Sequence, residues 1–264
     1  MNLDPRLPDF ALETILNFIR DFTKGRRVVV GLSGGLDSSV VLALCVRALD
    51  SDRILAVHMP DSVTPNYESE DAEKIAREWG VEYRVVNIDP ILKKYIELLQ
   101  IKDEKAIGNL KARIRMSILY GIANSESRLV AGTSNKSEIL TGYFTKYGDG
   151  ASDFAPIGDL YKTQVRELAK ILGIPENIIK KKPSAHLVSG QYDEDELGVK
   201  YEILDRILYG LELGLKEERI AEVANVDLSL VKHVIHLYNN SRHKRVMLYI
   251  PKIAVKTVNT DWRE

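Results

Sequence analysis

The sequence predicts an α/β fold, in which a doubly wound parallel sheet is flanked by helices and followed by a helical C-terminal region. Over the first half of the chain, short β-branched apolar segments alternate with amphipathic helical patterns. Polar or glycine-rich residues follow three of the predicted strands, at 31–39, 60–62 and 132–138. The carboxyl ends of parallel strands meet at one edge of a sheet, where such folds bind ligands, so we expect these segments to form one crevice.

The individual elements follow from local patterns. Leu12, Ile15 and Ile19 recur at helical spacing and predict a first helix that ends near Lys24. Apolar runs predict strands at residues 28–30, 53–59, 81–88 and 128–131. Helices are predicted at residues 40–48, 67–79, 91–99, 109–123, 201–213, 217–224 and 228–238, and after a cap at Asp159 up to Gly173. No linker or repeat interrupts this order, so we expect one domain over residues 1–264.

Composition narrows the class of protein. With 264 residues, 45% of them hydrophobic, the chain can bury a full core. Its formal net charge of −1 predicts no general polyanion-binding surface and therefore no nucleic-acid partner. The single cysteine, Cys45, excludes an internal disulfide and is expected in the core. No apolar run is long enough to span a bilayer and no signal pattern is found, so we expect a cytoplasmic protein without a membrane partner.

A glycine-rich turn lies between the first strand and the next helix. Such a turn directs backbone N–H groups and a helix N-terminus at an anion, and serine hydroxyls add donors. Asp37 would repel a phosphate unless Mg²⁺ lies between the two, so we expect a nucleotide bound with Mg²⁺. The alternative is an ordinary tight turn with Asp37 as the N-cap of the helix. The predicted phosphate-binding residues are Gly31, Leu32, Ser33, Gly34, Gly35, Leu36, Asp37 and Ser38.

Several motifs carry a resemblance to one family. SGGLDSS after a buried strand resembles the pyrophosphate loop of the N-type ATP pyrophosphatases, which have an adenine nucleotide alpha hydrolase-like fold. Enzymes with this loop cleave ATP between its α- and β-phosphates and activate a carbonyl oxygen as the adenylate. Segments 108–116, 132–138 and 141–150 resemble, in order, the signatures of ammonia-dependent NAD synthetase, and 153–166, 182–184 and 193–198 continue the series. The resemblance therefore covers nearly the whole chain.

The resemblance implies that ATP and ammonia amidate nicotinic acid adenine dinucleotide (deamido-NAD) through an adenylated carboxylate, giving NAD, AMP and pyrophosphate. It implies that Asp37 and Glu138 bind Mg²⁺ and that Asp149 receives ammonium, although Asp149 in a glycine-rich loop is also a common turn residue. The implied catalytic residues are Ser33, Asp37, Asp149, Lys162 and Ser184. The ATP-binding set adds Thr133, Lys162 and Ser184 to the loop, and the deamido-NAD-binding set is Arg113, Lys146, Asp153, His243 and Lys244.

The helical pattern at 109–123 is apolar on most of its circumference, which predicts burial on several sides and a place in a homodimer interface. Arg113, Ser117 and Tyr120 form a polar stripe on it, so Arg113 forms either an internal salt bridge or a ligand or subunit contact. Two departures from the family pattern concern the tryptophan missing at 186–189 and the proline-rich tail missing after 245. Whether His243 and Lys244 reach their own site or the partner's stays open.

Two other functions are compatible with parts of the sequence. Residues 217–238 have the pattern of a helix-turn-helix followed by a basic cluster, which would suit a nucleotide-sensing DNA-binding regulator. The apparent recognition helix begins after Asp227 and has few base-reading side chains, which argues against this function. Another adenylating amidase with the same loop, such as GMP synthetase, is the alternative within the enzyme class.

Overall fold

The computed structural model describes residues 2–184, 187, 190, 192–246 and 249–256. Its sheet has four parallel strands in the order β3-β2-β1-β4. They are β1 (Arg27–Gly31), β2 (Ile54–His58), β3 (Glu82–Val85) and β4 (Arg128–Ala131). The chain places β2 and β3 on one side of β1 and then returns to place β4 on the other side. Where the strand order reverses in this way, a crevice opens beyond the carboxyl ends of the strands. The predicted fold class is confirmed.

Helices cover both faces of the sheet and form the C-terminal region. In chain order they are α1 (Ala11–Thr23), α2 (Leu36–Ala48), α3 (Asn66–Glu78), α4 (Asp89–Leu99), α5 (Glu104–Glu126), α6 (Lys136–Thr141), α7 (Lys162–Leu172), α8 (Glu176–Ile179), α9 (Asp193–Leu197), α10 (Tyr201–Glu212), α11 (Glu217–Ala224), α12 (Leu228–Asn240) and α13 (Arg242–Arg245). Among the described residues, no helix combines the length and apolar character needed to cross a bilayer.

Alternating strand residues divide the core into two layers. Val28 and Val30 of β1 belong to the layer that contains α1, α2 and α7. Val29, between them, belongs to the opposite layer with α4 and α5. This alternation follows from the two-residue period of a strand, and because both faces are covered the strands read as continuous apolar runs. That continuity is why the sequence predicts the strands well.

The C-terminal helices have a core of their own. Tyr201, Leu204 and Leu208 of α10 are buried together with Val231 and Val234 of α12. The helix pair that resembled a helix-turn-helix thus uses its apolar side to pack on α10. Asp205 of α10 ties this core to the sheet layer: it accepts hydrogen bonds from the Ser137 hydroxyl of α6 and from the main chain (2.9 Å) and hydroxyl (2.8 Å) of Thr163 in α7.

Some local predictions were wrong. Asp159 does not cap α7; Tyr161 is the N-cap residue, and its main-chain N–H donates to the Gln164 side chain at 2.9 Å. Asp159 is instead exposed and pairs with Lys136 at 3.0 Å. Sequence analysis also missed four short helices, α6, α8, α9 and α13. Of the segment 186–189 only Leu187 is described, and residues 247–248 of the tail also lie outside the described part.

The helix predicted at 109–123 is longer, as α5, and it is buried on several sides as expected. One side packs on the sheet, and another lines the cavity beyond the strand ends. Arg113, Ser117 and Gly121, spaced at one turn, are exposed. These three residues form one exposed stripe in the monomer, on which Arg113 reaches the carbonyl of Lys146 at 3.3 Å.

We expect Asp205→Ala to destabilise the fold by about 2–4 kcal/mol, because the substitution leaves the buried Ser137 hydroxyl and Thr163 N–H without their acceptor. Urea unfolding followed by far-UV circular dichroism measures the loss. Asp159→Ala is the matched control, since its exposed ion pair contributes little. Equal stability of the two variants would contradict the role given to Asp205.

Candidate active site

A cavity of about 280 Å³, here called the cleft, lies beyond the carboxyl ends of β1, β2 and β4. Residues of two of the three expected polar segments, 31–39 and 132–138, line it, whereas the segment 60–62 does not, and β2 contributes Val57, His58 and the following Met59 instead. Of the predicted ATP-binding residues, the cleft is lined by Gly31, Leu32, Ser33, Gly35, Leu36, Asp37, Ser38, Thr133, Lys162 and Ser184, and it is also lined by Glu138 and Asp149. Gly34 lies behind this wall.

The loop from β1 to α2 is fixed by sterics and hydrogen bonds. Gly34 has φ +82°, and a Cβ at this position would lie 2.3 Å from the main-chain oxygen of Glu68, so only glycine fits. The Ser38 hydroxyl donates to the Gly35 carbonyl (3.1 Å) and lies 3.0 Å from the Ser33 hydroxyl. Gly35 is the N-cap residue of α2, so the alternative in which Asp37 caps the helix was wrong.

Three predicted site residues from different parts of the chain meet in the cleft. The Lys162 ammonium, at the start of α7, donates to the Asp37 carboxylate and lies 3.5 Å from Glu138 Oε1. Asn135 supports this cluster: its amide donates to Asp37 Oδ1 at 3.2 Å, and it forms a capping box with Glu138 at the start of α6. The Ser137 hydroxyl accepts a hydrogen bond from the main chain of Lys162 at 2.9 Å. Hydrogen bonds at the starts of α6 and α7 thus direct the side chains of Glu138 and Lys162 into the cleft.

Asp193 is a third carboxylate of this cluster that sequence analysis did not identify. Its side chain is 5% exposed, lines the cleft, and accepts from the Tyr201 hydroxyl at 3.3 Å. Within the described residues its other oxygen, Oδ1, has no hydrogen-bond partner. No sequence signal pairs Asp193 with Lys162, because the contact depends on how α9 packs.

The electrostatics of the cluster favour the binding of a cation. Burial and, next to it, the charge of the nearby Asp37 carboxylate raise the pKa of Glu138 to about 8. Burial also raises the pKa of Asp193. For Lys162, burial acts to lower the pKa, but the charges of Asp37, Glu138 and Asp193 outweigh it and hold the pKa above its usual range. One ammonium faces three carboxyl groups, and the raised pKa values of Glu138 and Asp193 show that ionising all three is unfavourable without a further cation.

Asp37 and Glu138 fit a magnesium ion that is bound together with phosphate. Both carboxylates approach the same ammonium, so their oxygens converge. In the described part of the chain, no group of three or more acidic, histidine or cysteine side chains forms a ready metal cage. Mg²⁺ is usually held by one or two carboxylates, with phosphate oxygens and water completing its shell, which is the donor set offered here.

Asp149 combines a structural contact with a place in the cleft. Its Oδ1 accepts from the main-chain N–H of Thr145 at 2.9 Å, as the turn alternative expected. The residue keeps accessible surface on the cleft, yet the surrounding walls desolvate its carboxyl group and raise its pKa. Both uses are therefore compatible with the structure.

The five predicted dinucleotide-binding residues lie outside the cleft. Arg113 donates to the carbonyl of Lys146 (3.3 Å), and the Lys146 ammonium donates to the carbonyl of His243 (2.9 Å). Lys244 donates to two carbonyls of the 142–150 loop at 2.7 Å each. Asp153 lies apart from these, where it accepts from the main chain of Val130 at 2.7 Å. The structure thus gathers four of the five around one loop but does not bring them to the ATP-binding set.

A buried ion-pair group lies behind the cleft and borders it through Arg115. Asp61, after β2, pairs with Lys111 at 3.0 Å and Arg115 at 3.3 Å. Burial opposes ionisation of Asp61, but the bond to Lys111 and the charge of Arg115 hold its pKa below the usual value. Arg115 also donates to the carbonyl of Met59 at 2.9 Å. The sequence feature that could have indicated this ion-pair group is the spacing of Lys111 and Arg115, which lie one turn apart in an apolar helix. The internal salt bridge that was considered for Arg113 is formed by these two residues instead.

Comparison with known proteins identifies the family of the chain. The sequence profile of the family described as NAD synthase matches residues 11–248. A Pyrococcus horikoshii protein described as NH(3)-dependent NAD(+) synthetase is 50% identical over 240 residues, 90% of this chain and 92% of its own length. The solved structure of NMN synthetase from Francisella tularensis has a TM-score of 0.82 at 33% identity and covers 92% of this chain and 98% of that one. That of NH3-dependent NAD synthetase from Campylobacter jejuni has a TM-score of 0.78 at 35% identity, covering 92% and 97%. The chain belongs to the NAD synthase family.

Proposed function

We propose that this protein uses ATP and ammonia to convert deamido-NAD into NAD, with AMP and pyrophosphate as the other products. The family membership and the 50% identity to an ammonia-dependent NAD synthetase support the reaction. The observation that carries it is the position of Lys162 between Asp37 of the glycine loop and Glu138, in one cleft beyond the strand ends. Such a cluster is suited to the triphosphate of ATP.

In the first step, an oxygen of the nicotinate carboxylate attacks the α-phosphorus of ATP and pyrophosphate leaves. The amides of the glycine loop and the hydroxyls of Ser33 and Ser38 hold the phosphates, and Thr133 contacts ATP at the end of β4. Lys162 neutralises the charge that develops on the α-phosphate, with help from the Ser184 hydroxyl. Lys162 is already held beside the phosphate loop, so this stabilisation requires little reorganisation.

We propose Asp37 and Glu138 as the ligands of Mg²⁺. When bound, Mg²⁺ neutralises phosphate charge and orients the leaving pyrophosphate. The protein's part is to keep the two carboxylates convergent: the first turn of α2 holds Asp37, and the capping box of α6 holds Glu138. Asp193 Oδ1, which has no hydrogen-bond partner among the residues that the structure describes, adds to the negative potential that attracts the ion.

In the second step, we propose that Asp149 binds the incoming ammonium and accepts one of its protons, which frees the lone pair of ammonia. The nitrogen then attacks the carbonyl carbon of the adenylate, the bond to the AMP oxygen breaks, and the second proton lost by the nitrogen passes to solvent as AMP leaves. The desolvated carboxyl group of Asp149, with a raised pKa, is a better base than an exposed aspartate.

We propose that the dinucleotide is bound by Arg113, Lys146, Asp153, His243 and Lys244. Their separation from the cleft, together with the exposed stripe of α5, supports a homodimer in which α5 forms part of the interface. A two-fold contact would cover this side of α5 and place Arg113 near the partner's site. The hydrogen bonds of Asp205 across α6, α7 and α10 support one domain over residues 1–264.

A second candidate substrate is the corresponding mononucleotide, because a solved structure with a TM-score of 0.82 is named NMN synthetase. The chemistry at the carboxylate would be the same, and only the length of the bound substrate would differ. The higher identity to an NAD synthetase favours the dinucleotide.

The test is to incubate the purified protein with ATP, Mg²⁺ and ammonium, together with either deamido-NAD or nicotinic acid mononucleotide, and to separate the products by chromatography. We expect NAD, AMP and pyrophosphate in equal amounts from deamido-NAD, and a lower kcat/KM with the mononucleotide. Preference for the mononucleotide would favour the second candidate. Formation of neither amide would reject both.

We expect Glu138→Gln to reduce turnover by about two orders of magnitude, because it removes a charge that acts on the transition state. The same change should alter how stability of the ligand-free protein depends on pH. The folded-state pKa of about 8 lies above that of an unfolded glutamate, near ~4.3, so the stabilisation from the protonated group is full below ~4.3 and is lost as pH rises through 8.

The measurement is urea unfolding between pH 5 and 9 without Mg²⁺ or ATP. Relative to Glu138→Gln, the wild-type protein should lose stability as pH rises to 8 and then level off. Glu176→Gln, in an exposed ion pair on α8, serves as the control. A constant difference between wild type and Glu138→Gln across this range would contradict the assignment.

Ammonia, and not glutamine, should be the nitrogen donor. Glutamine hydrolysis in amidotransferases commonly needs a reactive cysteine, and the sequence has one cysteine. Cys45 is buried in α2, and burial raises its pKa to about 12, so it carries no thiolate at neutral pH. Assays in ammonia-free buffer should show NAD formation with added ammonium chloride and none with glutamine. Comparable rates with the two donors would refute this prediction.

Mixing two inactive variants tests the proposed dimer. Asp37→Ala removes a loop carboxylate and Arg113→Ala removes a residue of the dinucleotide set. If each site combines residues of both subunits, one site of a heterodimer has both groups, and reassociated mixtures should recover about a quarter of wild-type activity. Sedimentation as a monomer at assay concentration would reject the dimer, whereas a dimer without recovery would reject only the shared site.

A further inference from the structure

We propose that Lys181 is an additional phosphate-binding residue, which holds the pyrophosphate portion of ATP and its product. This inference rests on the proposed function, in which pyrophosphate is the leaving group, and it places that pyrophosphate at one end of the cleft. Lys181 follows α8 and lines the cleft, with 16% of its side chain exposed. Its ammonium lies 2.8 Å from the carbonyl of Gly34, in the glycine loop itself.

The ammonium is in place to contact a bound phosphate. Nζ carries three N–H donors, and within the described residues two are used, on the Gly34 carbonyl and on Asp71 Oδ2 at 2.7 Å. A phosphate oxygen held by the loop amides would lie about 3 Å from the loop backbone. The Lys181 ammonium already lies at a similar distance from the same loop. The third donor therefore requires no rearrangement of the loop to reach them.

The distribution of charge in the cleft indicates which phosphates Lys181 would meet. Lys162 lies among Asp37, Glu138 and Asp193, where it is suited to the α-phosphate. Pyrophosphate carries most of the negative charge of ATP and gains more as the bond to the α-phosphate breaks. Lys181 supplies a cation at the Gly34 side of the loop, on a different structural element from Lys162. Its contact therefore strengthens as the leaving group forms.

The competing role is purely structural. Asp71 of α3 receives hydrogen bonds from Lys181 and, at 3.1 Å, from the Asn177 side chain of α8. Lys181 also lies 5.1 Å from the centre of the Tyr67 ring. In this role Lys181 would act only by fastening the loop to α3 through Asp71. The two roles predict different results when Asp71 is changed, because only a phosphate contact survives the loss of the ion pair.

The experiment titrates inorganic pyrophosphate at fixed Mg²⁺ into the full-length protein, using isothermal calorimetry. The variants are Lys181→Gln, Asp71→Asn, the double variant that removes both charges, and the control Lys180→Gln, whose side chain is exposed and pairs with Glu176. We expect Lys181→Gln and the double variant to bind pyrophosphate about tenfold more weakly or worse, since a charged hydrogen bond is lost. Asp71→Asn and Lys180→Gln should bind like the wild type or more tightly.

Steady-state kinetics give a second measurement. Lys181→Gln should lower kcat as well as raise the KM for ATP, because the contact strengthens as pyrophosphate leaves, and it should leave the KM for deamido-NAD within about twofold. The double variant, which leaves no unpaired Asp71 carboxylate, keeps the test decisive if Lys181→Gln does not fold. Lys181→Arg should retain most of the pyrophosphate affinity.

Three results would overturn the proposal: undetectable binding of pyrophosphate by the wild type, unchanged binding by Lys181→Gln and the double variant, or equal weakening by Asp71→Asn. The proposed function fails separately, if the wild type binds pyrophosphate through Lys181 but forms no NAD. Conversely, normal NAD synthesis with Lys181-independent pyrophosphate binding would reject only the role of Lys181.

Discussion

The arrangement of the cleft depends on one buried cation, the Lys162 ammonium, which is held between carboxylates of different elements. Burying such charges is unfavourable unless they are paired, so the fold must keep α2, α6 and α7 in a fixed relation. The Ser137 hydroxyl, which accepts from the main chain of Lys162 and donates to Asp205, joins these elements to the C-terminal helices. The second core thus serves the cleft by fixing the start of α7.

The glycine loop is positioned from outside by a histidine. His58 is buried, with Nδ1 2.8 Å from the Leu32 carbonyl and Nε2 2.9 Å from the Ser69 hydroxyl. A carbonyl can only accept, so Nδ1 carries the proton and Nε2 accepts from Ser69. Burial lowers the pKa of His58, which keeps this neutral form. Together with the contact of Gly34 on Glu68, the ring fixes the loop between β2 and α3.

The sequence predicted what short-range patterns determine. The strands and the glycine loop follow from runs of apolar residues and from a local motif, and the loop indicated Asp37 without any tertiary information. Contacts across long separations could not be predicted in this way: Asp37 and Lys162 lie 125 residues apart, and only the resemblance suggested a shared site. Asp193 and Lys181 carried no local signal, since their place in the cleft depends on how α8 and α9 pack.

Helix α5 shows why the ATP-binding and dinucleotide-binding sets are separate within one chain. Lys111, Arg113 and Arg115 alternate along the helix, and two residues correspond to a rotation of about 200°. Lys111 and Arg115 therefore share the side that pairs with Asp61 behind the cleft, whereas Arg113 faces solvent. One basic pattern thus serves two surfaces. Because the rotation is fixed by helix geometry, no local adjustment could bring Arg113 to the side of α5 that faces its own cleft.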